Sequence, residues 1–198
     1  MRLTIGKAVL LALVAALGGV GLAKHENRIH EQDALARIAS ELAGRKVGVR
    51  CPGFFSRLAD TRGEAGSVKF DAAGRPADHT DLSPETCAQL RQLPRVDFSC
   101  LSDRSCGYVQ FRAGWAAHTL AHESFHLRGI SDEGVAECYA LQNTSFVAQR
   151  LGIARRAAKR LQRWLFAAGF PNEPPEYRAA GCYAGGALDL RPQRPSWP

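Results

Sequence analysis

After Met1 the chain has no methionine, and nowhere does it carry a CxxC pair, an internal repeat or a low-complexity tract. Without CxxC pairs it lacks the thiolate spacing of structural zinc ribbons and fingers. Without a repeat it is neither a solenoid nor a propeller. Acidic residues are in the minority, 19 against 26 Lys and Arg, giving a formal net charge of +7, yet no RNA- or DNA-binding signature accompanies the excess. Hydrophobic residues make up 45% and charged residues 23%, which excludes a disordered or collagen-like chain. The 198 residues suffice for one domain with a core of its own.

What is present begins with a targeting segment. Arg2 and Lys7 precede an apolar and glycine run from Ala8 to Ala23, and Lys24 closes it. Residues 1–24 are read as a cleaved signal peptide or a retained membrane anchor, and residues 25–198 as the folded domain. All six cysteines lie in that domain. An even count in an exported chain points to disulfides; Cys100 and Cys106 can close a short loop, and Cys138 is expected to join Cys182. Arg155, Arg156, Lys159, Arg160 and Arg163 lie on one side of an expected helix over residues 153–168, with Arg150 just before it, opposite Ala157, Leu161, Trp164, Leu165 and Ala168. This stripe is either a solvated face or a contact for anionic membrane lipids or wall polymers.

Leu35, Ile38, Ala39 and Leu42 at helical spacing predict a helix over about residues 26–43. Alternation at Val47, Val49 and Cys51, and again at Val68 and Phe70, predicts two short strands of a small sheet. Ser83-Pro84-Glu85 is a helix start, with a helix through about Leu93. Residues 115–128 have no breaker and read as helix. Gly129 interrupts, and Ser131-Asp132-Glu133 opens a second helix capped by Ser131 and running to about Leu151. From about residue 171 onwards, proline and glycine predict an irregular tail. The expected class is α+β.

The chemistry lies in His122-Glu123-Ser124-Phe125-His126. Residues four apart on a helix share a face, so both imidazoles can reach one metal ion while Glu123 points to an open coordination position. A third ligand has to come from elsewhere. In two helices that double back at a corner, residues equally far from the corner face each other. That pairing favours Glu133 as ligand and Glu137 as the carboxylate that takes a histidine N–H; the reverse order is the alternative. His118, His122 and His126 cannot all bind one ion, because eight helical residues span about 12 Å. His118 is read as a substrate-side residue, a support for the ligands or a packed histidine.

His122-Glu123-x-x-His126 followed by Glu133-x-x-Ala136-Glu137-x-Tyr139-Ala140 resembles the gluzincin arrangement. Its short form is similar to the phage-repressor-cleaving ImmA-like group over residues 115–141. Metzincins are excluded, since they need a third histidine in the motif and a methionine turn. The resemblance implies a minimal zincin-like fold with one zinc ion and a peptide or protein substrate. The implied function is a zinc-dependent hydrolase, a metallopeptidase working outside the cytoplasm with Glu123 as general base. His118, Tyr139, Tyr177 and Tyr183 are available as oxyanion donors. The competing readings are a helix hairpin without a metal, a zinc site without catalysis, and a disulfide-stapled exported module that binds anionic polymers through its basic helix.

Overall fold

The computed structural model describes residues 29–52, 64–103, 105–194 and 197–198; residues 1–24, read above as a targeting segment, lie outside them. Among the described residues there are five α-helices and one three-stranded sheet, an α+β arrangement. The first helix, α1, covers residues 29–43 and buries Leu35, Ile38, Ala39 and Ala43, as their spacing requires. Gly44 ends it with φ 70°, a conformation that costs a glycine little.

Three short strands follow: β1 (Gly48–Arg50), β2 (Gly66–Ser67) and β3 (His79–Leu82). Their order is β1-β3-β2, with β1 parallel and β2 antiparallel to β3, so β2 is an edge. The second strand differs from expectation. Phe70 instead forms an isolated bridge with Pro76 across a turn in which Asp71 accepts from the backbone N–H groups of Ala73 and Arg75. That turn draws Val68 and Phe70 out of the ladder.

Helix α2 (Pro84–Gln92) starts as its sequence indicates, with the Ser83 hydroxyl accepting from Thr86 N–H. The central helix, α3, spans Tyr108–Leu127 and therefore begins well before Trp115. Gly114 lies inside it without breaking it, because Leu161 and Leu165 of α5 press against that point: a Cβ there would lie 2.7 Å from Leu161. From Ala116 to Leu127 every residue of α3 is buried, its apolar side by Leu120 and Phe125 and its polar side by the features described below.

Helix α4 (Glu133–Arg150) doubles back along α3, and α5 (Arg155–Ala168) packs on α4. Asp132 rather than Ser131 caps α4, accepting from Val135 N–H at 2.8 Å. The corner takes up Ser131. Beyond α5 the described residues make only short 3-10 turns, at Phe170–Asn172 and Pro175–Tyr177, and turns.

All six cysteines are paired, as Cys51–Cys87, Cys100–Cys106 and Cys138–Cys182. Three disulfides are consistent with an extracytoplasmic protein. Among the described residues no helix is long and apolar enough to cross a membrane. The tail is further fixed by Gln142, which donates to Leu188 O and accepts from Leu190 N–H, and by Arg191, which donates to Gln142 O and Asn143 Oδ1. Cys138 and Cys182 are separated by 44 residues. Replacing both by serine is expected to lower unfolding free energy by about 2–4 kcal/mol. Urea denaturation of oxidised wild type against the double variant checks this, and equal stability would contradict it.

Candidate metal centre

His122 and His126 stand one turn apart on α3, with their Nε2 atoms 2.9 Å from each other. Both nitrogens point at Glu133 Oε2, at 3.0 and 3.2 Å. Glu133 gets there through the corner, where Gly129 adopts φ 106° and Ile130 N–H returns to Phe125 O. The outer ring nitrogens fix the tautomers. His126 Nδ1 donates to Ile130 O at 2.6 Å, and His122 Nδ1 donates to Glu137 Oε2 at 3.0 Å. With its Nδ1 proton thus engaged, each neutral imidazole presents a lone pair at Nε2.

Three lone pairs therefore converge, and they repel unless positive charge sits among them. A proton is one such charge. Burial lowers the His122 pKa, but hydrogen bonds to Glu133 and Glu137 outweigh it and raise the imidazole to about 10. Burial and the neighbouring His122 push His126 below its ordinary value, while the His122 bond holds Glu133 below the usual carboxylate range. A metal ion is the other such charge. His122, His126 and Glu133 each offer one ligand atom, all within 4.8 Å of one another. Two imidazole nitrogens and a carboxylate suit zinc or another borderline divalent cation.

A second trio, His118, His122 and Glu137, also meets that spacing. Here the gap is already filled by protons, since His118 Nε2 and His122 Nδ1 both donate to Glu137 Oε2, at 2.9 and 3.0 Å. Burial works to raise the Glu137 carboxyl, but His118 and His122 more than offset it and hold it at about 2. Glu137 thus acts as an anion between two imidazoles. Its other oxygen is buried without a hydrogen-bond partner among the described residues.

Compared with protein-family models, curated proteins and solved structures, the chain matches none.

Glu123, 4% exposed, lines a cavity of about 430 Å³ that His122, His126 and Glu133 also line. Burial raises its carboxyl to about 7, the nearby Glu133 charge adding to the effect and His122 opposing it. The Thr80 hydroxyl of β3 lies 3.5 Å from Glu123 Oε2 and donates to Ser67 O at 3.0 Å. On the other side Gly66 leaves no space: a Cβ there would lie 2.8 Å from Glu123 Cγ.

The fold thus brings together His118, His122, Glu123, His126, Glu133 and Glu137. Of the tyrosines, Tyr177 lines the cavity with its ring 5.8 Å from that of His122. Tyr139 packs on Phe125 instead, and Tyr183 is exposed and lines none of the site. Sequence reasoning missed Gly66, Thr80 and Glu173, which also lines the cavity. Thr80 alone left a trace, an alternation with Leu82 between polar residues.

A cation that takes the place of the His122 proton must expel it. Because that proton is held up to about pH 10, zinc affinity should rise with pH, by roughly tenfold per unit between about pH 5 and 8. Calorimetry in buffers of differing ionisation enthalpy should count about one proton released per ion. An affinity independent of pH would place the ion elsewhere.

Proposed function

We propose that the chain is a zinc-dependent hydrolase of gluzincin type that cleaves peptide bonds outside the cytoplasm. One observation carries the reading: His122 Nε2, His126 Nε2 and Glu133 Oε2 converge on one point, and buried Glu123 opens onto the same cavity. His122, His126 and Glu133 would hold the ion. Bound zinc supplies Lewis acidity, lowering the pKa of a water molecule and polarising a carbonyl.

The protein's own groups do the rest. A carboxyl near pKa 7 is suited both to taking a proton from water and to giving it to a leaving nitrogen, and Glu123 has that value. Glu137 fixes the His122 tautomer and His118 fixes Glu137. Burial and the surrounding carboxylates raise the Tyr177 hydroxyl above its ordinary value, so it stays protonated and is the tyrosine placed to donate to an oxyanion. Among the described residues β2 pairs on one side only, and its other edge would offer backbone groups to an extended peptide. Export is supported by the disulfides together with the targeting segment.

A second reading rests on α5, whose Arg155, Arg156, Lys159, Arg160 and Arg163 are all exposed and line no part of the cavity. Salt-sensitive binding to anionic vesicles, unchanged by chelation and unaccompanied by hydrolysis, would favour a binding module.

Glu123→Gln should retain zinc and fold while losing hydrolysis of a labelled unfolded protein by orders of magnitude. Glu133→Gln should instead lose zinc, and Glu137→Gln should weaken it by about 10–100-fold. Metal analysis beside the activity assay separates the three. Full activity in Glu123→Gln would refute the mechanism, and zinc lost from Glu137→Gln but kept by Glu133→Gln would exchange the ligands.

Gly66→Ala tests the neighbour of the base. Its methyl must displace the Glu123 carboxyl, so hydrolysis should fall by about 10–100-fold with zinc content unchanged. Unaltered kcat would show that Glu123 needs no such fit.

A further inference from the structure

One face of α3 lines two neighbouring cavities along most of the helix. Towards its C-terminus this face carries His118, His122, Glu123 and His126 around the cavity already described. Towards its N-terminus Tyr108, Phe111, Arg112 and Trp115 line a second cavity of about 470 Å³. The two share Glu64, Ala65, Trp115 and Thr119, so they adjoin along the helix. The positions recur at three and four residues throughout, as one helical face requires.

The far end is an aromatic shelf. Phe111 and Trp115 stack with centroids 5.3 Å apart and planes at 14°, and Trp164 braces Phe111 edge-on at 5.8 Å. Tyr108 stands 71% exposed at the rim, with Arg112 over its ring. Arg112 also pairs with Glu85. Glu64, at the boundary between the two cavities, is the one carboxylate lining the second without an ion pair among the described residues, and the rings beyond it favour a flat or bulky apolar group.

We propose that this shelf is a specificity subsite for a bulky apolar side chain, aromatic by preference, of the same peptide whose scissile bond lies at the His122, His126 and Glu133 cluster. The proposal rests on the peptidase reading. Along α3, Trp115 lies about 12 Å and Phe111 about 18 Å from Glu123. An extended chain advances about 3.3 Å per residue. The recognised side chain therefore sits about four to five residues from the bond cleaved. A metal site alone would show no preference at that distance.

The test titrates zinc-loaded full-length Glu123→Gln with blocked alanine–serine decapeptides carrying one phenylalanine at successive positions, followed by calorimetry. Phenylalanine at one or two adjacent positions should tighten binding by about tenfold or more over the parent peptide, leucine should retain part of this, and lysine or aspartate none. Phe111→Leu and Tyr108→Ser, each added to Glu123→Gln, should remove most of the gain; Tyr108 is exposed, so its replacement leaves the core intact. Equal affinity for all peptides, no binding of any, or a preference that survives both substitutions would overturn the shelf, as would selective binding of a neutral oligosaccharide instead. Wild-type hydrolysis of the same peptides is followed in parallel. Hydrolysis without a phenylalanine preference defeats the shelf alone, whereas phenylalanine-selective binding without hydrolysis defeats the peptidase reading alone.

Discussion

Three lone pairs facing one another within 3.2 Å, on His122, His126 and Glu133, form the constraint around which the rest of the molecule is arranged. Left uncompensated, such a cluster would push itself apart. Each donor is held from behind instead: His126 by the carbonyl of Ile130, His122 by Glu137, and Glu133 by its place at the start of α4. Positive charge at the centre, whether a proton or a metal ion, then gains the attraction of groups whose ordering took place on folding.

Holding these groups means burying polar atoms on the most enclosed helix of the domain. His118, His122, Glu123, His126 and Glu137 are all buried, and each unpaired buried polar group would cost free energy. The network is therefore dense, with Thr144, Glu137 and two histidines linked in a row. Close packing on the opposite side compensates: Gly114 admits Leu161 and Leu165, and Leu120 and Phe125 fill the core. The tail supplies the remaining wall, bearing Glu173 and Tyr177 and joined to α4 through Cys138 and Cys182.

The sequence was most informative where the determining distances are short. HExxH on a helix and a carboxylate just beyond a glycine corner depend on local spacing, and the structure brings those side chains together. The start of α2 was legible for the same reason, a serine, a proline and an acid in consecutive positions. Legibility failed where polar residues occupy structural places. Strand β3 buries Thr80 beside Glu123, and a buried threonine leaves only a weak alternation to read. The early start of α3 was hidden because Gly114 reads as a breaker until Leu161 is seen against it. Glu173 and Tyr177 reach the cavity from far along the chain, where no periodicity could announce them.

The corner between α3 and α4 also sets a phase. Each residue advances a helix by about 100°, so one residue added or removed between Arg128 and Asp132 would swing Glu133 away from the histidines and bring a different side chain round to meet them. The hairpin resembles two meshed gears with a fixed offset. Substitutions along its surface leave that offset alone, whereas a change of length at the corner alters it at every position downstream. The spacing from His126 to Glu133 is consequently a stricter requirement on this chain than the identity of any residue within the corner.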